Sequence, residues 1–233
     1  MLDRLNDILG GTGLFTRGGF HCEVGDNVPI LPDGRIARTL LLVGNAGPEM
    51  WRQFEKERNL DVKDPLDSWL LQKLEKASRA TGAHLLLPNS GPPFIPLQDW
   101  AMRAEPVFRS PIGIMIHPEF GLWHVYRAVL LFAEHIDLPA WSAVENPCDA
   151  CEAKPCRKVC PADAFTPSRF DAFSCVSHVE SAAGRNCREL GCLARRACPV
   201  GRRYLYDPDQ QKFHTEAMVR AVRLGYGSED ASG

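Results

Sequence analysis

Eight of the nine cysteines in this chain fall between residues 148 and 198, a density of thiols suited to holding metal. The first run is Cys148-x2-Cys151-x4-Cys156-x3-Cys160-Pro161, and the second is Cys175-x11-Cys187-x4-Cys192-x5-Cys198-Pro199. A reducing cytosol keeps clustered thiols out of disulfides, so there they serve more often as metal ligands than as cross-links. A cubane 4Fe–4S cluster needs four thiolates converging from different directions, three from a wrapping loop and one from distant chain. A proline after the last ligand turns the chain sharply and removes a backbone donor that would otherwise need a partner. Zinc is the competing ligand. Structural zinc sites favour two Cys pairs separated by a longer loop, often with His. Here both runs end in Cys-Pro, and the nearest histidine, His178, lies outside such spacing. Cys22 stands alone and reads as an ordinary core or surface thiol.

The paired Cys-Pro endings resemble the bacterial two-cluster ferredoxin pattern, in which the last cysteine of each run ligates the other run's cluster. That resemblance implies two 4Fe–4S clusters, one on Cys148, Cys151, Cys156 and Cys198 and one on Cys160, Cys175, Cys187 and Cys192. One departure stands out: four residues separate Cys151 from Cys156 where the pattern has two, and they include Lys154 and Pro155. The x4 and x5 spacers of the second run are longer than the norm as well. With as many cysteines as ligand positions, neither cluster has an open site, so both read as electron wires.

The 233 residues are enough for one large domain or two small ones, and can bury a core without disulfides. Hydrophobic residues make up 45% and charged residues 24%, an ordinary soluble composition. A formal net charge of −2 sets up no global field for nucleic acid or an anionic membrane. Apolar runs such as Leu40 to Val43 are too short to cross a bilayer. The opening MLDRLNDILGG has no apolar stretch of signal-peptide length. The expectation is a cytoplasmic protein with no membrane partner.

Elements must position these thiols, and their signals change near residue 145. Leu2, Leu5, Ile8 and Leu9 have helical spacing and stop at Gly10–Gly11. The Gly10–Gly13 stretch lacks the preceding strand and the third glycine of a dinucleotide fingerprint, and reads as a flexible turn. Residues 36–43 form a strand candidate closed by Gly44–Asn45, and 50–58 look helical. A second helix starts at Asp64, a good N-cap followed by Pro65, with Asp67 suited to the helix dipole. Its apolar stripe is Leu66, Leu70, Leu74 and Ala77, and it ends at Gly82. A strand at 84–87, a Pro-rich loop, a helix at 97–104 and strands at 112–117 and 122–133 follow. A helix at 211–224 and a solvated GSEDASG tail close the chain. Trp51, Trp69, Trp100 and Trp123 read as core. The first domain therefore looks α/β.

The stretch SPIGIMIHPEFGLWHVYRAVLLF (Ser110–Phe132) resembles the segment shared by cobalamin-processing proteins of the cobalamin C type. TLLLVGNAGPEMW (Thr39–Trp51) and DPLDSW (Asp64–Trp69) are similar to that family's strand and helix start. The Cys-rich half resembles the iron–sulfur domain of epoxyqueuosine reductases and reductive dehalogenases, whose cobalamin domain carries a Pro-Glu-Phe-Gly segment. Together the resemblances cover about residues 36–200. They imply a nitroreductase-like α/β sandwich over 1–145, a ferredoxin-like two-cluster domain over 146–205, and a C-terminal helix and tail over 206–233. They also place Ser110, Gly113, Met115, Ile116 and His117 along a corrin. Arg127 matches an arginine that binds glutathione in the cobalamin-processing proteins. A guanidinium there could instead hold a corrin propionamide, a carboxylate substrate or a buried acid. His117 before Pro118 could equally cap a strand, and Gly113 and Gly121 could serve only turns. The Asp-x-His-x-x-Gly signature of methyltransferase-type cobalamin domains is absent, which fits binding without a lower histidine and fits no corrin as well.

The function these readings imply is electron transfer through both clusters to a bound corrinoid, with cobalamin reduced or stripped of its upper ligand. The alternatives are a ferredoxin-like carrier without cobalamin and an epoxyqueuosine-type reductase acting on tRNA. Arg185, Arg188, Arg195, Arg196, Arg202 and Arg203, opposed between those limits only by Glu189, would attract phosphates. They would equally attract an acidic electron donor such as flavodoxin or ferredoxin, and without an aromatic ladder the protein partner is favoured over nucleic acid. Related nitroreductase-like folds often form homodimers. Glu119 and Tyr126 are proton-donor candidates by proximity to the HPEFGLW segment alone.

Overall fold

A computed structural model describes residues 1–89, 91, 93–166 and 169–229, with side chains as far as residue 225. In chain order the elements are α1 (Leu2–Leu9), β1 (Phe15–His21), β2 (Thr39–Ala46), α2 (Glu49–Glu57), α3 (Pro65–Thr81), β3 (His84–Leu86), α4 (Leu97–Ala104), β4 (Phe108–Arg109) and β5 (Met115–Ile116). Then come β6 (His124–Phe132), α5 (Pro155–Lys158), α6 (Ala172–Glu180), α7 (Arg185–Leu190), α8 (Leu193–Arg196), a 3-10 turn at Arg202–Tyr204, and α9 (Pro208–Glu229). Contacts divide this mixed α/β chain into two compact units. One joins Met1–Val107 to His124–Val144; the other joins Phe108–Trp123 to the chain from Glu145 onward. Residues 108–123, expected in the first domain, thus group with the Cys-rich half.

The first unit is built on a four-stranded sheet of order β1-β2-β6-β3, antiparallel at every pairing. Leu40, Leu41, Leu42 and Val43 are all buried, so both faces of β2 are covered. The strand expected at 36–43 lies three residues later. It continues past Gly44 because β6 approaches there too closely for a side chain: a Cβ at Gly44 would sit 2.3 Å from the Val125 carbonyl oxygen. β1 had no clear signal, since Gly18 and Gly19 interrupt its alternation. Gly18 is where α4 crosses the strand, and a Cβ would meet the Ala104 carbonyl oxygen at 2.2 Å. Trp51, Trp69 and Trp100 are core residues of this unit, as expected.

Several boundaries differ from the sequence reading. Asp64 precedes α3 in a left-handed conformation, φ 48°, and makes no side-chain cap; instead the Ser68 amide donates to its carbonyl at 3.0 Å. The strand expected at 112–117 shrinks to β5, because residues 110–114 form a tight turn. Gly227–Glu229 continue α9, so the GSEDASG segment begins as helix, and residues 230–233 lie outside the described residues. The Pro-rich loop includes residues 90 and 92, which also lie outside them. Among the described residues no helix is long and apolar enough to cross a membrane.

A buried ion pair fastens β1 to the end of α4. Arg17 and Glu105 have side chains 1% and 10% exposed, and the Arg17 guanidinium donates to both Glu105 oxygens. The same carboxylate accepts the Gly18 amide at 3.0 Å and the Tyr126 hydroxyl at 2.5 Å. Burial holds the Tyr126 phenol well above its ordinary pKa. Its proton belongs to Glu105, which removes Tyr126 as a donor to a bound ligand. Removing one partner of such a pair strands a buried charge, a loss of about 3–5 kcal/mol. Glu105→Gln should therefore lower the free energy of unfolding by an amount in that range, measured by equilibrium urea unfolding.

Candidate metal centre

The second unit begins with a small hairpin. β4 pairs with β5 through Phe108 opposite Ile116 and Arg109 opposite Met115. Its turn closes with the Ser110 amide on the Ile114 carbonyl at 3.2 Å and the Gly113 amide on Ser110 at 3.0 Å. Gly113 has φ 77°, the left-handed region that glycine enters freely. The next bend is the His-Pro-Glu-Phe-Gly segment. His117 and Gly121 exchange backbone hydrogen bonds at 2.9 and 2.8 Å, and His117 Nδ1 accepts the Glu119 and Phe120 amides at 3.0 and 3.2 Å. His117 thus shapes a turn, with its ring stacked on Phe120 at 4.3 Å.

This bend is locked to the chain just after Cys198-Pro199. A Cβ on Gly121 would lie 2.1 Å from the Val200 carbonyl oxygen, and one on Gly201 2.3 Å from the Phe120 carbonyl group. Both glycines have positive φ, 58° and 69°. Arg195 completes the clasp, donating Nε at 3.1 Å and Nη2 at 2.6 Å to the Leu122 carbonyl. Its guanidinium lies 4.4 Å from the Trp123 ring and 4.7 Å from that of Tyr206. On the surface, Arg203 and the Tyr204 hydroxyl hold Glu119, which keeps its carboxyl below the usual range. Glu119 is thereby an anchor of this clasp.

The clasp delivers Cys198 to a small core of Ile112, Ile116, Leu122, Cys156 and Ala194, with Cys148, Cys160 and Cys192 packed against it. Asn146 Oδ1 accepts the Cys148 amide at 3.0 Å, and the Lys154 ammonium donates to the Cys148 carbonyl. Pro155 then starts α5, which turns Cys156 inward. Burial first, then Cys198, Cys156 and Cys151 against the pull of Lys154, pushes the Cys148 thiol up to about 11. Cys198 is raised first by burial and then by Cys156 and Cys151.

Cys175 and Cys192 of the second set behave in the same way. Burial, followed by Cys192, Cys160 and Cys187, pushes Cys175 up to about 12. Cys192 is raised chiefly by burial, against the pull of the Arg195 and Ala194 amides, with Cys187 and Cys160 adding to it. Cys160, Cys175, Cys187 and Cys192 all line one cavity of about 50 Å³. Among the described residues no three His, Cys, Asp or Glu side chains close tightly enough to ligate a single ion. Cys22 lies in the first unit, half-buried, its thiol raised by burial.

A larger cavity of about 400 Å³ adjoins the second four. Cys175, Cys192, Phe165, Thr215 and Met218 line both spaces. Ile112, Gly113 and Ile114 of the hairpin turn form one wall, and Arg195, Gln211 and His214 bring polar groups to it. Of the residues expected along a corrin, Gly113 is on this wall. Ser110 is buried with its Oγ lacking a hydrogen-bond partner, Met115 and Ile116 are buried on β5, and Arg127 lies in the first unit with Nε on Asn45 Oδ1 at 2.9 Å. The sequence reading missed the face of α9. Gln211, His214, Thr215 and Met218 recur at three- and four-residue spacing, the signal that would have placed them together.

The arginine run is largely internal scaffolding. Arg188 donates to the Val179 carbonyl at 2.6 Å, Arg195 to Leu122 and Arg196 to Asn186 Oδ1 at 2.9 Å, while Arg203 pairs with Glu119.

No family model matches the chain, and no curated protein matches it. Its fold is found among solved structures of epoxyqueuosine reductases. The enzyme from Streptococcus thermophilus is 14% identical, with 90% of this chain covering 69% of that one at a TM-score of 0.52. An epoxyqueuosine reductase solved with an epoxyqueuosine-modified tRNA-Tyr stem loop is also 14% identical, with 90% and 68% covered and a TM-score of 0.52. The B12-trafficking protein CblC of C. elegans is 19% identical over 91% of this chain and 89% of that one, with a lower TM-score of 0.49. At these identities the likeness to the epoxyqueuosine reductases is one of fold alone.

The glycines of the clasp make the packing testable. Gly121→Ala would drive a Cβ into backbone, whereas a Cβ on Gly113 meets nothing within 4 Å. Gly113→Ala should therefore cost only the left-handed backbone penalty of about 1–2 kcal/mol. Gly121→Ala should lower the thermal midpoint further and expose the buried Cys198 to thiol reagents, a difference read by melting and by timed alkylation.

Proposed function

We propose that this chain is a two-cluster iron–sulfur redox protein that passes electrons to an acceptor bound beside its second set of thiols. Cys148, Cys151, Cys156 and Cys198 would hold one 4Fe–4S cluster, and Cys160, Cys175, Cys187 and Cys192 the other. Bound there, the clusters would supply one-electron transfer. The observation that carries the reading is the shared lining of the two cavities. All four thiols of the second set face one space, and two of them, Cys175 and Cys192, also border the larger one. A ligand in that larger space would sit directly against the donor. Apolar walls with a few convergent polar groups are the usual character of a cofactor-sized site.

The acceptor proposed is a corrinoid, with cobalamin reduced or relieved of its upper ligand. Support comes from the Ser110–Phe132 resemblance and from Gly113 on the cavity wall. The chain's own contribution is to exclude water with Phe165, Phe170 and Met218, and to orient the ligand with Arg195, Gln211 and His214. An acidic one-electron donor such as flavodoxin or ferredoxin would load the clusters. A role on tRNA has one observation in its favour, the fold shared with a reductase solved with a tRNA stem loop. Steeply salt-dependent binding of such a stem loop would favour that role over the corrinoid.

Anaerobic reconstitution should yield about eight irons per chain. Addition of cob(II)alamin under dithionite should then give cob(I)alamin faster than in a protein-free control. Iron without any corrin response leaves a ferredoxin-like carrier, and zinc in place of iron removes the redox reading altogether. The crossed ligand sets make a sharper prediction. Cys148→Ala with Cys198→Ala should still hold about four irons, because both lie in one set, whereas Cys175→Ala with Cys198→Ala should hold almost none.

A further inference from the structure

The helix that carries Cys175 also carries a histidine that the cluster reading leaves unused. We infer that His178 donates a hydrogen bond from its imidazole to the cluster held by Cys160, Cys175, Cys187 and Cys192, and that this bond makes the cluster easier to reduce. The inference rests on the two-cluster reading and adds a tuning residue to it.

The helix α6 is pinned at both ends. At its start the Asp171 carboxylate accepts the Ser174 amide at 2.9 Å and the Ser174 hydroxyl at 2.8 Å. At its end the His178 carbonyl accepts the Ser181 amide at 3.0 Å and the Ser181 hydroxyl at 2.7 Å. Gly184 packs directly on this turn, where a Cβ would lie 1.9 Å from the His178 carbonyl oxygen. Between these anchors the helix is two-sided. Phe173, Ser177 and Glu180 are exposed, while Val176 and Val179 are buried and Cys175 and His178 lie half-buried beside them. Residues three apart share one face of a helix, so the imidazole stands one turn beyond the thiol on the same side.

His178 lines the space of about 50 Å³ that all four thiols share. A histidine in the last turn of a helix also suits the helix dipole, but the exposed face beside Ser177 and Glu180 would serve that role equally well. Among the described residues no hydrogen bond or ion pair engages the His178 ring. Most of the remaining lining is apolar, including Ala162, Val179, Leu193, Ala194 and Met218, and Thr215 gives its hydroxyl proton to the Gln211 carbonyl at 2.9 Å. A neutral imidazole carries one N–H donor, and the sulfur atoms of a bound cluster would be its acceptors in that space. Hydrogen bonds to sulfur favour the reduced cluster by stabilising its added negative charge. Apolar surroundings strengthen each such bond. Arg188, Arg195 and Arg196 add positive charge near the same thiols and bond to Val179, Leu122 and Asn186. A substitution at His178 leaves them in place, so the change it causes belongs to the imidazole.

In a dithionite titration of the holoprotein followed by electron paramagnetic resonance, His178→Phe should make one cluster about tenfold harder to reduce, a shift of about 59 mV for one electron, and leave the other in place. His178→Gln keeps an N–H and should restore most of that shift. In protein carrying isotope-labelled histidine, pulsed resonance of the reduced state should show a histidine-nitrogen coupling weaker than that of a direct iron ligand, which His178→Gln removes. Unmoved potentials in His178→Phe, a shift that His178→Gln fails to restore, or no such coupling in the unaltered protein would each overturn the inference, while about eight irons per chain kept the cluster reading intact. If His178→Phe assembles poorly, the coupling alone decides: its presence supports the bond and its absence overturns it. Zinc, or fewer irons in the unaltered protein, would remove the cluster reading and this one with it.

Discussion

The second unit depends on a crossing of two backbones with no side chain between them. Gly121 and Gly201 face each other's neighbours at distances that no Cβ tolerates. Because the crossing lies three residues beyond Cys198, it determines where that thiol sits among Cys148, Cys151 and Cys156. Arg195 reinforces it from within by bonding the Leu122 carbonyl between two aromatic rings. A guanidinium held by a carbonyl and two ring faces is both an anchor and part of a wall. The same residue borders the 400 Å³ cavity, so the geometry of the crossing and the shape of the ligand space are coupled.

This coupling changes the meaning of the His-Pro-Glu-Phe-Gly-Leu-Trp segment. Read alone, it suggested cofactor contact. In the fold, His117 closes its own turn, Glu119 anchors Arg203 and Tyr204, Gly121 permits the crossing, Leu122 joins the small core, and Trp123 lies under Arg195. The residues facing the cavity come from the turn just before it, Ile112 to Ile114. The segment holds that wall in register with the thiols.

What the sequence made legible follows from range. Helices α2, α3 and α4 were readable because their stripes and breakers are local, and β6 because its apolar run is long. The grouping of eight cysteines was readable for the same reason. The strand β1 was not, since Gly18 is there to admit α4, a partner more than eighty residues away, and Gly19 to admit the Leu40 carbonyl of β2. Nor was the cavity face of α9, whose Gln211, His214, Thr215 and Met218 acquire significance only beside Cys175 and Cys192. The internal bonds of the arginine run were not legible for a related reason: four of its six members bond carbonyls or side chains of their own unit, partners that charge in sequence does not reveal.

The long spacer between Cys151 and Cys156 carries a lysine folded back on the Cys148 carbonyl and the proline that starts α5. The extra residues cost conformational freedom, because Lys154 must adopt a left-handed backbone that carries a penalty of about 1–2 kcal/mol. Two local devices of backbone geometry, a left-handed N-cap at Lys154 and an aspartate cap at Asp171, thus fix the chain just ahead of Cys156 and Cys175.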